Sequence, residues 1–489
     1  MRTSQSHPLQ IASVQLADGV GRVGVTFCPG KVQPGAMSGS WDRDLGLDLD
    51  AIADWGAVAV VTLVEEHELV TLKVTAMGHE VRARHMDWFH LPIPDVSVPD
   101  AAFEQRWAVV APDLMHRLRS GFSVLVHCKG GLGRAGTVAA RLLIGMGIAP
   151  EAAVKSVRAA RPGAIETSAQ LAHVLAQTAV PEPVPDTSGA AIRDRAIGAL
   201  LGLAVGDAVG TTLEFKARDS YPTLTDMVGG GPFGLKPGQW TDDTAMALAL
   251  ADSLTHDPAL DERDLMQRFV DWHERGTYSC TGRCFDIGIT TRKALARWQK
   301  TGDPFAGSID PTTAGNGSLM RLSPVAIRHF DNRALLRDVA ARQGRTTHAA
   351  PEAVDACVAY AEVLADAIEG AKRSDVLRAR NAGYAGKIDT ISQGSWRGKA
   401  RDDIRASGYV AHALEASLWS VGRTGTYQTA VLLAANLGED ADTTGAITGQ
   451  LAGALYGASG IPEHWRNEIA WSDRLSKTAA ALVERTARQ

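Results

Sequence analysis

The chain has 489 residues, 45% of them hydrophobic and 21% charged, enough for two or three cores of an ordinary globular protein. A formal net charge of −5 gives no electrostatic footprint for nucleic acid or an anionic membrane. The five scattered cysteines lay out no disulfide framework, and the N-terminus lacks the pattern of a signal peptide, so a reducing cytoplasm is the expected setting.

Residues 1–40 are rich in Gly and Pro and read as short β segments or a loosely packed arm. A short helix is expected over 49–55. A buried strand should follow over 57–63, where the apolar run is β-branched and unbroken. The run 58–64, the most apolar in the chain, is too short to span a bilayer. Helical spacing returns over 101–118 with Pro112 inside it, which predicts a kink or two shorter helices. A strand at 122–126 leads into a Gly-rich loop, and helices are expected at 139–148 and 150–161. This alternation predicts an α/β layer with parallel strands. Prolines at 181, 183 and 185 mark an extended linker. Beyond it Ala, Leu and Gly recur at helical periods, predicting an almost all-α half whose small residues let helices approach closely. The expected organisation is an α/β domain over 1–180, a linker over 181–190 and an all-α domain over 191–489.

The segment Cys128-Lys129-Gly130-Gly131-Leu132-Gly133-Arg134 stands between a strand and a helix. A Gly-rich loop there can turn its N–H groups inward around phosphate oxygens, and the guanidinium fork of Arg134 suits two of them. The same field favours Cys128 as a thiolate nucleophile. With His90-Leu91-Pro92-Ile93-Pro94-Asp95 and Arg161-Pro162-Gly163-Ala164-Ile165-Glu166-Thr167, the loop resembles the dual-specificity branch of the protein-tyrosine-phosphatase superfamily. Within that branch it is most similar to the kinase-associated phosphatase subgroup, over residues 38–178. The resemblance implies that Cys128 attacks the phosphorus of a phosphomonoester, that Arg134 holds the transferring group and that Asp95 protonates the leaving oxygen. Asp87 and Asp100 flank Asp95 as rival acids. Ala135 departs from the Ser or Thr usual after the Arg. Attack should survive, while hydrolysis of the phosphocysteine slows unless Thr137 or a water takes over.

In the second half, Trp240-Thr241-Asp242-Asp243-Thr244 opens one helical run, and Asp440-Ala441-Asp442-Thr443-Thr444 opens another. Either cluster alone reads as a helix N-cap. Together they offer the carboxylates and hydroxyls that a pair of hard cations, Mg²⁺ or Mn²⁺, prefers. The matching blocks run in order from Arg195–Gly202 and Gly206–Gly210 through Cys284–Gly288, Gly315–Arg321, Thr347-His348 and Ser407–Val410. With the two acidic clusters they make residues 191–475 resemble an ADP-ribosylglycohydrolase of the dinitrogenase reductase-activating type. The resemblance implies Thr241, Asp242, Asp243, Asp440, Asp442 and Thr443 as ligands of two divalent cations. It also implies Glu214 as an acid approaching substrate, and Asn316, Gly317, Ser318 and His348 as the lining of an ADP-ribose cleft. Read from the residues alone, Glu214 is equally an exposed loop glutamate and His348 a structural histidine. Cys280 and Cys284 read as packing residues rather than a zinc site.

The expected function is therefore bifunctional: metal-dependent cleavage of ADP-ribosyl N- or O-glycosidic bonds and cysteine-dependent phosphomonoester hydrolysis. The fusion suggests that both act on phosphorylated ADP-ribose derivatives. A rival expectation reduces the N-terminal domain to a module that binds phosphorylated partners. Another keeps the helical fold but directs it to ADP-ribosyl esters, guanidines or other N-glycosides. Expected partners are an ADP-ribosylated protein or ADP-ribose derivative and a phosphomonoester, with neither nucleic acid nor membrane.

Overall fold

A computed structural model describes residues 1–15, 17–36 and 39–486. The chain divides into two compact units, Met1–Pro183 with Arg397–Ala400, and Val184–Trp396 with Arg401–Gln489.

The first unit is an α/β layer. Its strands are β1 (Ala12–Val14), β2 (Val23–Phe27), β3 (Val32–Gln33), β4 (Trp41–Asp42), β5 (Ala57–Thr62), β6 (Asp87–His90) and β7 (Ser123–Cys128). Five of them form one sheet in the order β1-β2-β7-β5-β6, parallel except for β1, while β3 and β4 pair separately. Every residue of β5 and β7 is buried, as befits valine-rich strands at the centre of a covered parallel sheet. The register Phe27↔Cys128 and Thr62↔His127 brings the carboxyl ends of β2, β7 and β5 to one edge, where open parallel sheets place their ligand sites.

Two open readings resolve here. The arm at 1–40 takes the first of its two readings, short β segments, and among them β2 is a full partner of β7. The segment over 101–118 forms one helix, Ala101–Arg119, with Pro112 inside it, and not two shorter helices. Phe103, Trp107, Ala111, Leu114, Met115 and Leu118 are all buried, so packing on both sides of the proline outweighs its local cost.

The second unit is helical, and its axis is a pair of helices, Gly189–Gly210 and Ala441–Tyr456. A Cβ added at Gly198, Gly202, Gly206 or Gly210 would lie 2.2, 2.4, 2.1 or 2.2 Å from the carbonyl oxygen of Gly453, Gly449, Gly445 or Ala441. Only glycine permits that approach. The descending order of partners makes the helices antiparallel, so the end of the first meets the start of the second. Segment Gly189–Leu213 holds an 18-residue window of mean hydropathy 1.6 and is by length and composition apolar enough to cross a membrane. Of that window 89% is buried inside the fold, the mark of a core helix.

Candidate active sites

The phosphate-binding loop follows β7 directly, and the helix Gly133–Gly145 begins at its end with no side-chain cap on its first N–H groups. Its outward carbonyls are tied down: Lys31 Nζ donates to Lys129 O (3.1 Å), and Arg161 Nε donates to Gly131 O (3.1 Å). Inward, the Gly131 N–H donates to Cys128 Sγ at 3.2 Å. Gly131 has φ +71°, and a Cβ there would lie 2.5 Å from the Phe27 nitrogen, so the turn requires glycine.

Arg134 is buried and aimed by partners that sequence reasoning missed. Its Nη1 donates to Glu68 Oε2 (2.6 Å) and to Ile93 O (2.9 Å), and its Nη2 donates to Glu68 Oε1 (3.1 Å). Burial raises the Glu68 carboxyl, but hydrogen bonds from Arg134 and the Glu65 backbone outweigh it and hold the group below the usual range. Asp95 Oδ1 meets Arg134 Nη2 at 2.9 Å. The two rival acids are engaged elsewhere. Asp87 pairs with Arg117 at 2.7 Å, and Asp100 caps the helix Ala101–Arg119 by accepting from the Phe103 N–H. The Thr137 hydroxyl donates to Gly133 O at 2.8 Å, so its proton is committed to its own helix. His127 is fully buried, its Nε2 lies 2.7 Å from Thr62 Oγ1, and burial pushes its pKa down to about 3. It is a neutral core histidine.

In the helical unit, a cleft of about 660 Å³ is lined by Glu214, Asp242, Asp286, Asp440, Asp442 and Thr443. Asn316, Gly317, His348 and Ser407 line it as well. The two acidic helix starts, far apart in sequence, thus share one space. Glu214 follows the first axial helix and is buried, not an exposed loop residue. Its Oε2 accepts from the Ala441 N–H (2.7 Å) and the Asp442 N–H (3.3 Å), capping the second axial helix. Asn316 Nδ2 donates to Asp440 Oδ2 at 2.9 Å. Thr241 and Asp243 lie behind the lining, buried, with the Thr241 hydroxyl within 3.1 Å of Asp243 Oδ2.

Asp207, quoted in a matched block but given no role, organises the first acidic turn. It accepts from the Thr241 N–H (2.9 Å), the Thr244 N–H (3.1 Å) and the Thr244 hydroxyl (2.7 Å). Asp286, equally unassigned from sequence, lines the cleft. Burial, partly offset by a hydrogen bond with Asp442, pushes its carboxyl up to about 6. Ser318 is not brought to the cleft. It is fully buried, and its Oγ accepts from Cys357 Sγ at 3.4 Å. Neighbouring Gly317 and Asn316 do line the cleft, and Arg321 fixes that turn by donating to Gly317 O at 3.2 Å. His348 is buried and its pKa falls to about 3, from burial first and then Arg321, so its ring is neutral.

The donor set fits divalent cations. Glu214, Asp440 and Asp442 each offer a carboxylate oxygen within 4.8 Å of the others. Asp243 Oδ1 and Asp442 Oδ2 are buried without a hydrogen-bond partner. Burial and mutual repulsion drive Asp242, Asp243 and Asp442 well above the ordinary carboxylate range. Hard cations are what such crowded, unpaired oxygens accommodate. By contrast, Cys284 Sγ lies 3.6 Å from His273 Nδ1 while Cys280 Sγ donates to Trp240 O, and all five cysteines are free.

A glycine-laddered helical core that brings acidic helix starts around a nucleotide-sized cleft defines a class, the ADP-ribosylglycohydrolases. Residues 188–489 match the model of the family so described, and this chain belongs to it. Residues 28–174 match a second model, "Swiss Army Knife protein, DSP-PTPase phosphatase domain". Among its relatives is "ADP-ribosylarginine hydrolase Tri1" of Pseudomonas putida (strain GB-1), 48% identical over 294 residues, spanning 60% of this chain and 78% of that protein. "ADP-ribosyl-[dinitrogen reductase] glycohydrolase" of Rhodospirillum rubrum is 34% identical over 286 residues, 58% of this chain and 92% of its own length. A solved structure titled "ADP-ribosylglycohydrolase-related protein complex" superposes with a TM-score of 0.55 at 39% identity, covering 60% of this chain and 99% of that one.

Proposed function

We propose that the helical unit hydrolyses the bond between ADP-ribose and an acceptor, arginine by preference, and that the α/β unit hydrolyses a phosphomonoester. The observation that carries the first part is the convergence of Glu214, Asp242, Asp286, Asp440 and Asp442 on one cleft. The arginine preference draws on the named Pseudomonas relative. Held by Thr241, Asp242, Asp243, Asp440, Asp442 and Thr443, two divalent cations such as Mg²⁺ or Mn²⁺ would supply Lewis-acid charge for the ribose hydroxyls and the attacking water. The protein's own contributions are positional. Asn316 holds Asp440, and Asp207 holds the turn carrying Asp242 and Asp243. Glu214 and Asp286 stabilise positive charge as it develops at the anomeric carbon. His348 and Gly317 receive the rest of the ADP-ribose.

In the α/β unit, Cys128 Sγ attacks phosphorus, the ester P–O bond breaks and Asp95 delivers its proton to the leaving oxygen. Arg134, aimed by Glu68, carries the equatorial oxygens. Water then cleaves the phosphocysteine, slowly, because Ala135 offers no hydroxyl and that of Thr137 is engaged. Fusion of the units supports a shared substrate pool of phosphorylated ADP-ribose derivatives.

The test is a panel of ADP-ribosylarginine peptide, aryl phosphate and phosphorylated ADP-ribose offered to wild type, Cys128→Ser and Asp242→Ala. Each variant should lose one activity and keep the other, and only wild type should take the phosphorylated derivative fully to its end products. Aryl-phosphate turnover that survives Cys128→Ser, or is absent from wild type, would make the first unit a phosphate-binding module instead.

A further inference from the structure

Two of the carboxylates that line the cleft are joined in sequence to an aromatic ring, Glu214 to Phe215 and Asp286 to Phe285. Phe233 links the two rings. Its centroid lies 6.3 Å from that of Phe215, edge-on at 74°, and 5.3 Å from that of Phe285 at 54°. Phe215 lines the cleft but is 68% exposed. Its backbone has φ +60°, a region that bulky side chains avoid. The pose is fixed from both sides: the Phe215 N–H donates to Glu439 O, and the Glu439 N–H donates to Lys216 O, each at 2.8 Å. Glu439 and Asp286 have the same unusual backbone, at φ +61° and +60°. Strain held in place by its surroundings gathers at sites of function. An apolar ring kept out in water by such a backbone serves no core. It lines the cleft together with the adjacent Glu214 and with Asp286.

A planar cation is the chemical group that uses both features at once, stacking on the ring while its N–H groups reach carboxylates. We propose that Phe215, braced by Phe233 and Phe285, is a specificity-determining residue that stacks on the guanidinium of an ADP-ribosylated arginine beside Glu214 and Asp286. This rests on the arginine reading above, since the acceptor nitrogen must leave from the reacting carbon next to these acids. Ile289, 70% exposed and also lining the cleft, extends the apolar surface for the arginine stem.

The experiment uses the full chain with Mn²⁺ and compares wild type, Phe215→Leu and Phe215→Tyr. Substrates are an ADP-ribosylarginine peptide and an ADP-ribosylserine peptide, and free ADP-ribose is titrated for affinity. Phe215→Leu should raise KM for the arginine substrate about tenfold and lower kcat less than threefold. It should shift the serine substrate and ADP-ribose affinity less than threefold, and Phe215→Tyr should restore the arginine KM. An arginine KM unmoved by Phe215→Leu, or losses equal for both acceptors, would overturn the role of the ring alone. Wild type that binds ADP-ribose without cleaving ADP-ribosylarginine would overturn the acceptor class and the ring's role together.

Discussion

In the α/β unit, the reactive charges are answered by the protein itself. Arg134 meets Glu68 and Asp95, Lys31 and Arg161 hold the loop carbonyls, and Cys128 receives the Gly131 N–H. In the helical unit, the carboxylates gather with little to answer them, and Asp243 and Asp442 each keep a buried oxygen without a partner. The first site's charges are paired within the protein, while the second keeps carboxylate oxygens without partners. Contiguous sequence supplies the phosphate-binding loop of the one and tertiary packing gathers the acids of the other, so the two should fail under different treatments.

The sharpest way to separate them is chelation. Removing divalent cations should cost the glycohydrolase about 10³-fold, the several kcal/mol expected of lost Lewis-acid charge, and change aryl-phosphate turnover less than about twofold. Asp442→Asn should reproduce that pattern with cations present, measured as release of free ADP-ribose. In the other unit, Asp95→Asn should lower kcat about 10²-fold on a phosphate with a poor leaving group and much less on p-nitrophenyl phosphate, which needs no acid. Glu68→Gln, which loosens Arg134, should cost about tenfold in phosphatase kcat/KM, with ADP-ribose release as the unmoved control. The smallest expected effect is on the scaffold. Gly206→Ala places a Cβ against the Gly445 carbonyl and should destabilise the helical unit by about 2 kcal/mol, a Tm shift of a few degrees by calorimetry. Phosphatase activity unaffected below that Tm would confirm that the two sites fail independently.

This contrast also governs what could be read from the chain alone. The phosphate-binding loop is contiguous, so Cys128, the Gly-rich turn and Arg134 are legible together. Glu68 was not, because nothing in its own neighbourhood ties it to an arginine 66 positions away. Residues 1–40 were legible as short β segments, but the place of β2 beside β7 was not, because Gly24 interrupts its valines within a Gly- and Pro-rich stretch. Pro112 left two shorter helices open as one reading, which packing along the single Ala101–Arg119 helix overrides. The two acidic helix starts were visible, but Asp207 and Asp286 stood in recognised blocks without an evident role. Their work depends on which way each side chain turns, and the same is true of Ser318, which turns away from the cleft toward Cys357. The glycines at 198, 202, 206 and 210 announced close helix packing, and the structure shows their partners to be the helix that opens on Asp440.

The central claim is that acids from the starts of two helices far apart in sequence, Asp242–His256 and Ala441–Tyr456, form a cation site. Titration of the metal-free full chain with Mn²⁺, followed by electron paramagnetic resonance, tests it most directly. The account predicts tight, saturable uptake approaching two ions per chain in wild type and clearly weakened uptake in Asp442→Asn. Uptake that is weak and unsaturable, or that Asp442→Asn leaves unchanged, would contradict it.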